Sequence, residues 1–185
     1  ELVSYTRWNA LSVASAFGHS DIVSRLLEIQ VVIDNALAEH NLALRWAAAR
    51  GHIGIVNRLL GIQEVIGNAH ALGNGALRWA AENGHVDIVN RLLEIQVVID
   101  NAHATDNSAL RGAAMFGYLD IVNRLLEIQV VSGNAYIYNN WALREAAARG
   151  HLNVVNRLLE IQEVRDNAHA LGNDALRLAA GNGHL

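Results

Sequence analysis

The sequence predicts an all-α fold: a curved stack of helix-turn-helix repeats, about five complete and a truncated sixth. Three observations predict it. The phrase GHVDIVNRLLEIQ at Gly84–Gln96 returns almost unchanged from Gly18, Gly51, Gly117 and Gly150 and is cut short at Gly183, so every interval is 33 residues. Within each period two short segments place apolar residues at i, i+1, i+4 and i+5, the mark of one buried helix face. At 52% hydrophobic and 17% charged residues, the chain is composed like a packed protein and unlike a disordered one. A fixed period means that each unit buries its apolar face against its neighbours, so residues 1–185 read as one quasi-linear domain. The expected divisions are a trailing loop at 1–8, repeats at 9–41, 42–74, 75–107, 108–140 and 141–173, and a partial repeat at 174–185. Because the chain opens on Glu1 and its last repeat stops after one helix, it reads as a piece of a longer array.

The third unit shows the elements in order. Ala76, Leu77, Ala80 and Ala81 form the stripe of a first helix, and Gly84 ends it in the place where a left-handed residue costs least. Asp87 favours the positive end of a second helix, whose stripe is Ile88, Val89, Leu92 and Leu93. The following VVIDNAHATDNS, rich in Asn and Asp, suits an irregular or hairpin-like loop. First helices are expected near 10–17, 43–50, 76–83, 109–116, 142–149 and 175–182, and second helices near 21–29, 54–62, 87–95, 120–128 and 153–161. Each is shorter than the ~12–15 residues at which an isolated helix becomes marginal in water. Small Ala in the first helices against Leu, Ile and Val in the second implies closer packing of the first, hence a bend with first helices and loops inside.

The period, the AAxxGH ending of the first helix and the IVxxLL of the second resemble the ankyrin repeat along essentially the whole chain. The resemblance implies an ankyrin-type solenoid that holds a protein partner on its concave, first-helix and loop face, and intracellular work in a eukaryotic regulator or a bacterial protein acting in a host cell. The sequence departs from the family's pattern in three places. The Thr-Pro-Leu-His opening appears as LALR, GALR, SALR, WALR and DALR, which puts Arg45, Arg78, Arg111, Arg144 and Arg177 where the family has His. Gln30, Gln63, Gln96, Gln129 and Gln162 replace the glycine after the second helix. The Asn-Ala pair of the loop (Asn35-Ala36 in the first copy) falls one residue late. Loops tighter or more helical than the family's are the expected consequence.

Composition and motifs exclude several function classes. There is no Cys, so thiol catalysis and thiolate metal sites are absent. No Walker loop, GxSxG or HExxH is present, and no enzyme activity or cofactor is expected. His19, His52, His85, His151 and His184 recur one repeat apart, ~10 Å by helix packing, too far to share a zinc at ~2.1 Å per ligand. They read as structural, as do His70, His103 and His169. The ALR arginines read as clamps on loop carbonyls. The Asn35 and Asn41 rows, each continued at the 33-residue period, read as turn-makers. Arg25, Arg91, Arg124 and Arg157 each precede a Glu by three, a helical pairing distance. A net charge of −4 and the lack of a long apolar run argue against nucleic acid and membrane as partners.

Recognition belongs where the repeats disagree. One first-helix column runs Val13, Trp46, Trp79, Gly112, Glu145, Leu178. The pair at the end of that helix runs Ala16-Phe17, Ala49-Arg50, Glu82-Asn83, Met115-Phe116, Ala148-Arg149, Gly181-Asn182. The loop tips run Tyr5–Trp8, then Ala38–Asn41 and its counterparts. The candidate partner-binding residues are therefore Trp46, Arg50, Trp79, Glu82, Asn83, Met115, Phe116, Tyr136, Tyr138, Trp141, Glu145 and Arg149. Met115, Phe116, Tyr136, Tyr138 and Trp141 are expected to gather in one patch, since Trp and Tyr dominate binding hot spots. The function this predicts is a non-catalytic protein-interaction scaffold. Two alternatives stay open at this level: a structural spacer or engineered, consensus-like array with no native ligand, and nucleic-acid binding through the Arg ladder. End-to-end self-association through an uncapped last repeat is also expected.

Overall fold

A computed structural model describes residues 9–184, and the Tyr5–Trp8 tip lies outside them. The described residues form sixteen helices and no strand, in two compact units, Glu1–Ile99 and Asp100–Leu185.

The first unit holds α1 (Ala10–Ala16), α2 (Ser20–Leu26), α3 (Gln30–Asp34), α4 (Ala38–Ala49), α5 (Ile53–Leu59), α6 (Gln63–Gly67), α7 (Ala71–Glu82) and α8 (Val86–Leu92), with α9 (Gln96–Asp100) ending at the boundary. Here α4 packs between α1 and α7, and α5 between α2 and α8, so like helices stack on like. Ala43, Leu44, Ala47 and Ala48 of α4 are buried against the same columns in α7, while Ile55, Val56 and Leu59 of α5 supply the bulkier layer. Small side chains let neighbouring helices approach closely, and the larger ones fill the space behind them.

The second unit repeats the plan with α10 (Ala104–Met115), α11 (Leu119–Leu126), α12 (Gln129–Ser132), α13 (Ile137–Ala148), α14 (Leu152–Leu158), α15 (Gln162–Asp166) and α16 (Ala170–Gly181). In it α13 packs on α10 and α16, and α11 on α14. Leu44, Leu77, Leu110 and Leu143 are buried midway along their helices, whereas the corresponding Leu176 of α16 is 58% exposed.

The turn between first and second helix is closed by glycine in the left-handed region. At Gly51 (φ +79°) the backbone reverses so that the His52 amide donates to Ala47 O at 3.0 Å. The residue cannot acquire a side chain for a second reason: a Cβ there would stand 2.7 Å from His85 Cε1 of the next repeat.

The connecting segment corrects the expectation of an irregular or hairpin-like loop; of the forms expected, the more helical one is found. A third short helix (α3, α6, α12, α15 and their like) follows the second, and the chain then makes one left-handed turn. Leu72, Gly73 and Asn74 have φ of 52°, 63° and 60°, and the same three-residue turn recurs at Glu39–Asn41, Thr105–Asn107, Tyr138–Asn140 and Leu171–Asn173. For L-residues this conformation costs about 1–2 kcal/mol each, so the surroundings must over-determine it. Val65, Val98, Val131 and Val164 of the third helices are buried, as are Ala36, Ala69, Ala102 and Ala135, the alanines of the Asn-Ala pairs. The Asn- and Asp-rich composition suggested a hairpin-like loop, but two buried anchors per segment hold the short helix in place.

Candidate functional site

The constant residues are spent on the joints. In four of the five left-handed turns the final Asn is buried and its Nδ2 donates into the following third helix: Asn41 to Val65 O (3.1 Å) and Asn68 O (2.9 Å), Asn74 to Val98 O (2.7 Å), Asn107 to Val131 O (2.8 Å), Asn140 to Val164 O (2.7 Å), whereas Asn173 of the last turn is exposed. The other asparagine row closes the third helix from within, as Asn134 Nδ2 does on Val130 O at 2.8 Å. Arg45, Arg111 and Arg144 of the ALR motifs hold the left-handed turns by their carbonyls, as their planar donors suit them to do. Arg45, which is buried, donates to His40 O (3.0 Å) and Glu39 O (2.8 Å). Arg144 reaches Tyr138 O and Asn139 O. Burial, and then the charge of Arg78, push the Arg45 guanidinium below its ordinary pKa.

The repeated histidines join repeats. His85 Nε2 lies 3.2 Å from Ala49 O and His151 Nε2 3.1 Å from Met115 O, so each donates to the end of the preceding first helix. No group of three or more His, Cys, Asp or Glu among the described residues is placed to hold a metal ion. On the second-helix side, Arg25–Glu28, Arg91–Glu94, Arg124–Glu127 and Arg157–Glu160 form the expected pairs. Arg91 and Arg157 also donate across a repeat to Asn57 (3.0 Å) and Asn123 (2.9 Å).

What varies lies on the first-helix and turn side. In the first unit Trp46 and Trp79 stack obliquely, ring centroids 5.4 Å apart, with the Arg50 guanidinium 5.6 Å over Trp46 and that of Arg45 5.2 Å over Trp79. Glu82 is exposed beside Asn83, whose Nδ2 donates to Trp79 O at 2.8 Å and so closes its own helix.

In the second unit the expected aromatic patch divides into two groups. Tyr138 and Trp141 meet around Arg111, whose guanidinium lies 5.2 Å and 4.9 Å from their ring centroids. The Tyr138 hydroxyl donates to Asp106 at 2.8 Å. That hydrogen bond, then the Asp106 charge, raise the Tyr138 pKa above its ordinary value, against the opposing pull of Arg111. Phe116, 41% exposed, stacks on Tyr118 (6.3 Å) and carries the Arg149 guanidinium at 5.7 Å, while Arg149 also pairs with Glu145 at 3.5 Å. Tyr136 is 40% exposed, and Met115 contributes its carbonyl to the joint with His151.

The residue that opens each ALR motif went unnoticed as a functional column. It is the seat for the arginine one repeat earlier: a Cβ on Gly75 would stand 2.8 Å from Arg45 Cδ, Trp141 receives Arg111, and Asp174 Oδ2 lies 2.9 Å from Arg144 Nε. Its variation through Leu42, Gly75, Ser108, Trp141 and Asp174 was the available signal.

Helix pairs at a fixed period, with constant residues in the joints and changing residues on one side, define a helical-repeat scaffold. The chain belongs to the ankyrin repeat family: the model for ankyrin repeats, in three copies, matches residues 44–137. It is similar to the X-ray structure of an ankyrin repeat family protein from Legionella pneumophila, at 25% identity and a TM-score of 0.58 over 94% of this chain. The chain spans 66% of that protein's length. A search of curated protein sequences finds no match. Ankyrin repeats are in general protein–protein interaction modules, and no helix among the described residues is long and apolar enough to cross a membrane.

Proposed function

We propose that the chain is a non-catalytic scaffold that binds a protein partner on its first-helix and turn side. The observation that carries this reading is the division of labour between columns. The recurring Asn, His and Arg side chains and the left-handed Gly are engaged in joints, whereas Trp46 and Trp79 in the first unit, and Phe116, Tyr138 and Trp141 in the second, stand with guanidinium groups beside them, and Tyr136 is exposed. Trp, Tyr and Arg are the side chains that most often carry binding energy, because each combines a large rigid contact area with a polar end. Joints locked by hydrogen bonds would lose little freedom on binding, which favours affinity. The family resemblance supports an intracellular site of action.

Structural spacing alone gives no reason for exposed aromatics in changing positions, and in the Arg ladder read as a nucleic-acid grip Arg45 and Arg144 are occupied by carbonyls of their own turns. The test is co-purification from a cell lysate with quantitative mass spectrometry, comparing the native chain with the triple variant Tyr136→Ala, Tyr138→Ala, Trp141→Ala. Proteins held by the native chain should drop at least about tenfold on the variant, the size expected when hot-spot side chains are truncated. Equal recovery on a variant of native helicity would reject this face.

A further inference from the structure

We propose that Arg111 is an anchor for a carboxylate of the partner, so that the recognised segment is acidic where it crosses Tyr138 and Trp141. This rests on the recognition reading above and narrows its chemistry.

The arginines of the ALR motifs do different work in successive repeats. Arg45 is buried and donates to two carbonyls. Arg144 donates to two carbonyls and has the Asp174 carboxylate 2.9 Å from its Nε. Arg111 makes a single hydrogen bond, NH1 to Asp106 O at 3.3 Å, and its buried Nε has no acceptor among the described residues. The cause is one residue: where Arg144 meets Asp174, Arg111 meets Trp141. An aromatic ring supports a guanidinium through its face but accepts none of its in-plane N–H groups. The nearby Asp106 carboxylate receives the Tyr138 hydroxyl instead, and Arg111 forms no ion pair among the described residues.

At Arg144 a carboxylate stands beside the guanidinium as an ion pair, and at Arg111 the same group is supported by aromatics, with NH1 alone hydrogen-bonded. A guanidinium fixed against rings loses little freedom when a ligand arrives, and its planar fork matches a carboxylate bidentately. A protein carboxylate is favoured over a nucleic-acid backbone for two reasons. The site offers one available guanidinium and not a row of them, and the chain carries a net charge of −4.

The test uses the whole 185-residue chain, labelled with nitrogen-15, and two short peptides that alternate Leu with Glu or Leu with Gln. The Glu peptide should bind about tenfold more tightly than the Gln peptide, the gain expected of a charge-assisted pair. The shifts should centre on the Arg111 Nε–H and Trp141 indole N–H resonances. In Arg111→Gln the preference should fall to within about twofold. Since that variant also loses the Asp106 carbonyl contact, Trp141→Ser, which installs the residue found one repeat earlier at Ser108, provides a second variant. It keeps the charge, removes the aromatic support, and should weaken the Glu peptide by about threefold or more. The inference is overturned by equal binding of the two peptides, by a preference that survives Arg111→Gln in folded protein, or by tighter binding of an oligothymidylate of equal length. Any of these results together with partner loss in the triple alanine variant would discard the carboxylate anchor and leave the recognition face standing.

Discussion

Asn107 shows how a single side chain sets the backbone around it. It occupies the left-handed region at φ 57°, where Asn is among the few tolerated residues, and its Nδ2 satisfies the buried Val131 carbonyl at 2.8 Å. Aspartate has the same shape but, when ionised, only accepts. Asn107→Asp should therefore cost ~3 kcal/mol at neutral pH, from a lost donor and two acceptors left face to face in a buried place. The new carboxyl would have a folded pKa above the ~3.9 of an unfolded Asp, so part of the loss should return below about pH 4 and vanish again as pH rises. Urea unfolding at two pH values reads this; a variant as stable as the native chain at both would refute the role of the asparagine. Tyr138 gives a second pH test. Its neutral form donates to Asp106, its pKa is raised, and the stability this brings is present below about pH 10, the ordinary tyrosine value, and is lost as pH climbs through the raised one. Ultraviolet titration of Tyr138→Phe should delete a tyrosine step lying above that ordinary range, and deletion of a step at or below it would contradict the hydrogen bond.

The elements differ in how plainly the sequence announces them. First and second helices were legible because Ala76, Leu77, Ala80 and Ala81, and again Ile88, Val89, Leu92 and Leu93, mark one face at helical spacing, and all eight are buried. The third helix was not. QVVID is five residues long and β-branched, so nothing local separates a short helix from an extended run. What selects the helix is tertiary: Val98 and Ala102 must both reach the core. The left-handed turn hid for a related reason, since Glu39, Thr105 and Tyr138 are not residues that choose such a conformation; only the unfailing Asn in third place and Gly73 and Gly172 in second hinted at it. Because the third helix is held by its anchors, Val131→Ala should cost ~2 kcal/mol through a cavity. Native-state hydrogen exchange should show the segment around Gln129–Ser132 losing protection first. Uniform loss along the chain would mean that the third helix is not a separately anchored element.

At the scale of the molecule, a strict period of 33 residues divides the residues into those that must agree for repeats to join and those left free. The fold and the joints follow from the first set, and most of them could be read in advance: the Gly–His turn, the clamps of Arg45, Arg111 and Arg144, and the buried asparagines Asn41, Asn74, Asn107 and Asn140 had the role that their chemistry suggested. The candidate site was legible only as columns of disagreement. That Tyr138 and Trp141 converge on Arg111 while Phe116 stands with Arg149 depends on which side chain of one repeat meets which of the next, and no pattern within a repeat contains that. The most direct test of the central claim is site-specific photo-crosslinking with a benzoylphenylalanine placed once at Phe116, on the first-helix side, and once at Glu127, on the second-helix side. Capture of the same partner from Phe116 but not from Glu127 is the predicted result. Capture from Glu127 alone would contradict the account.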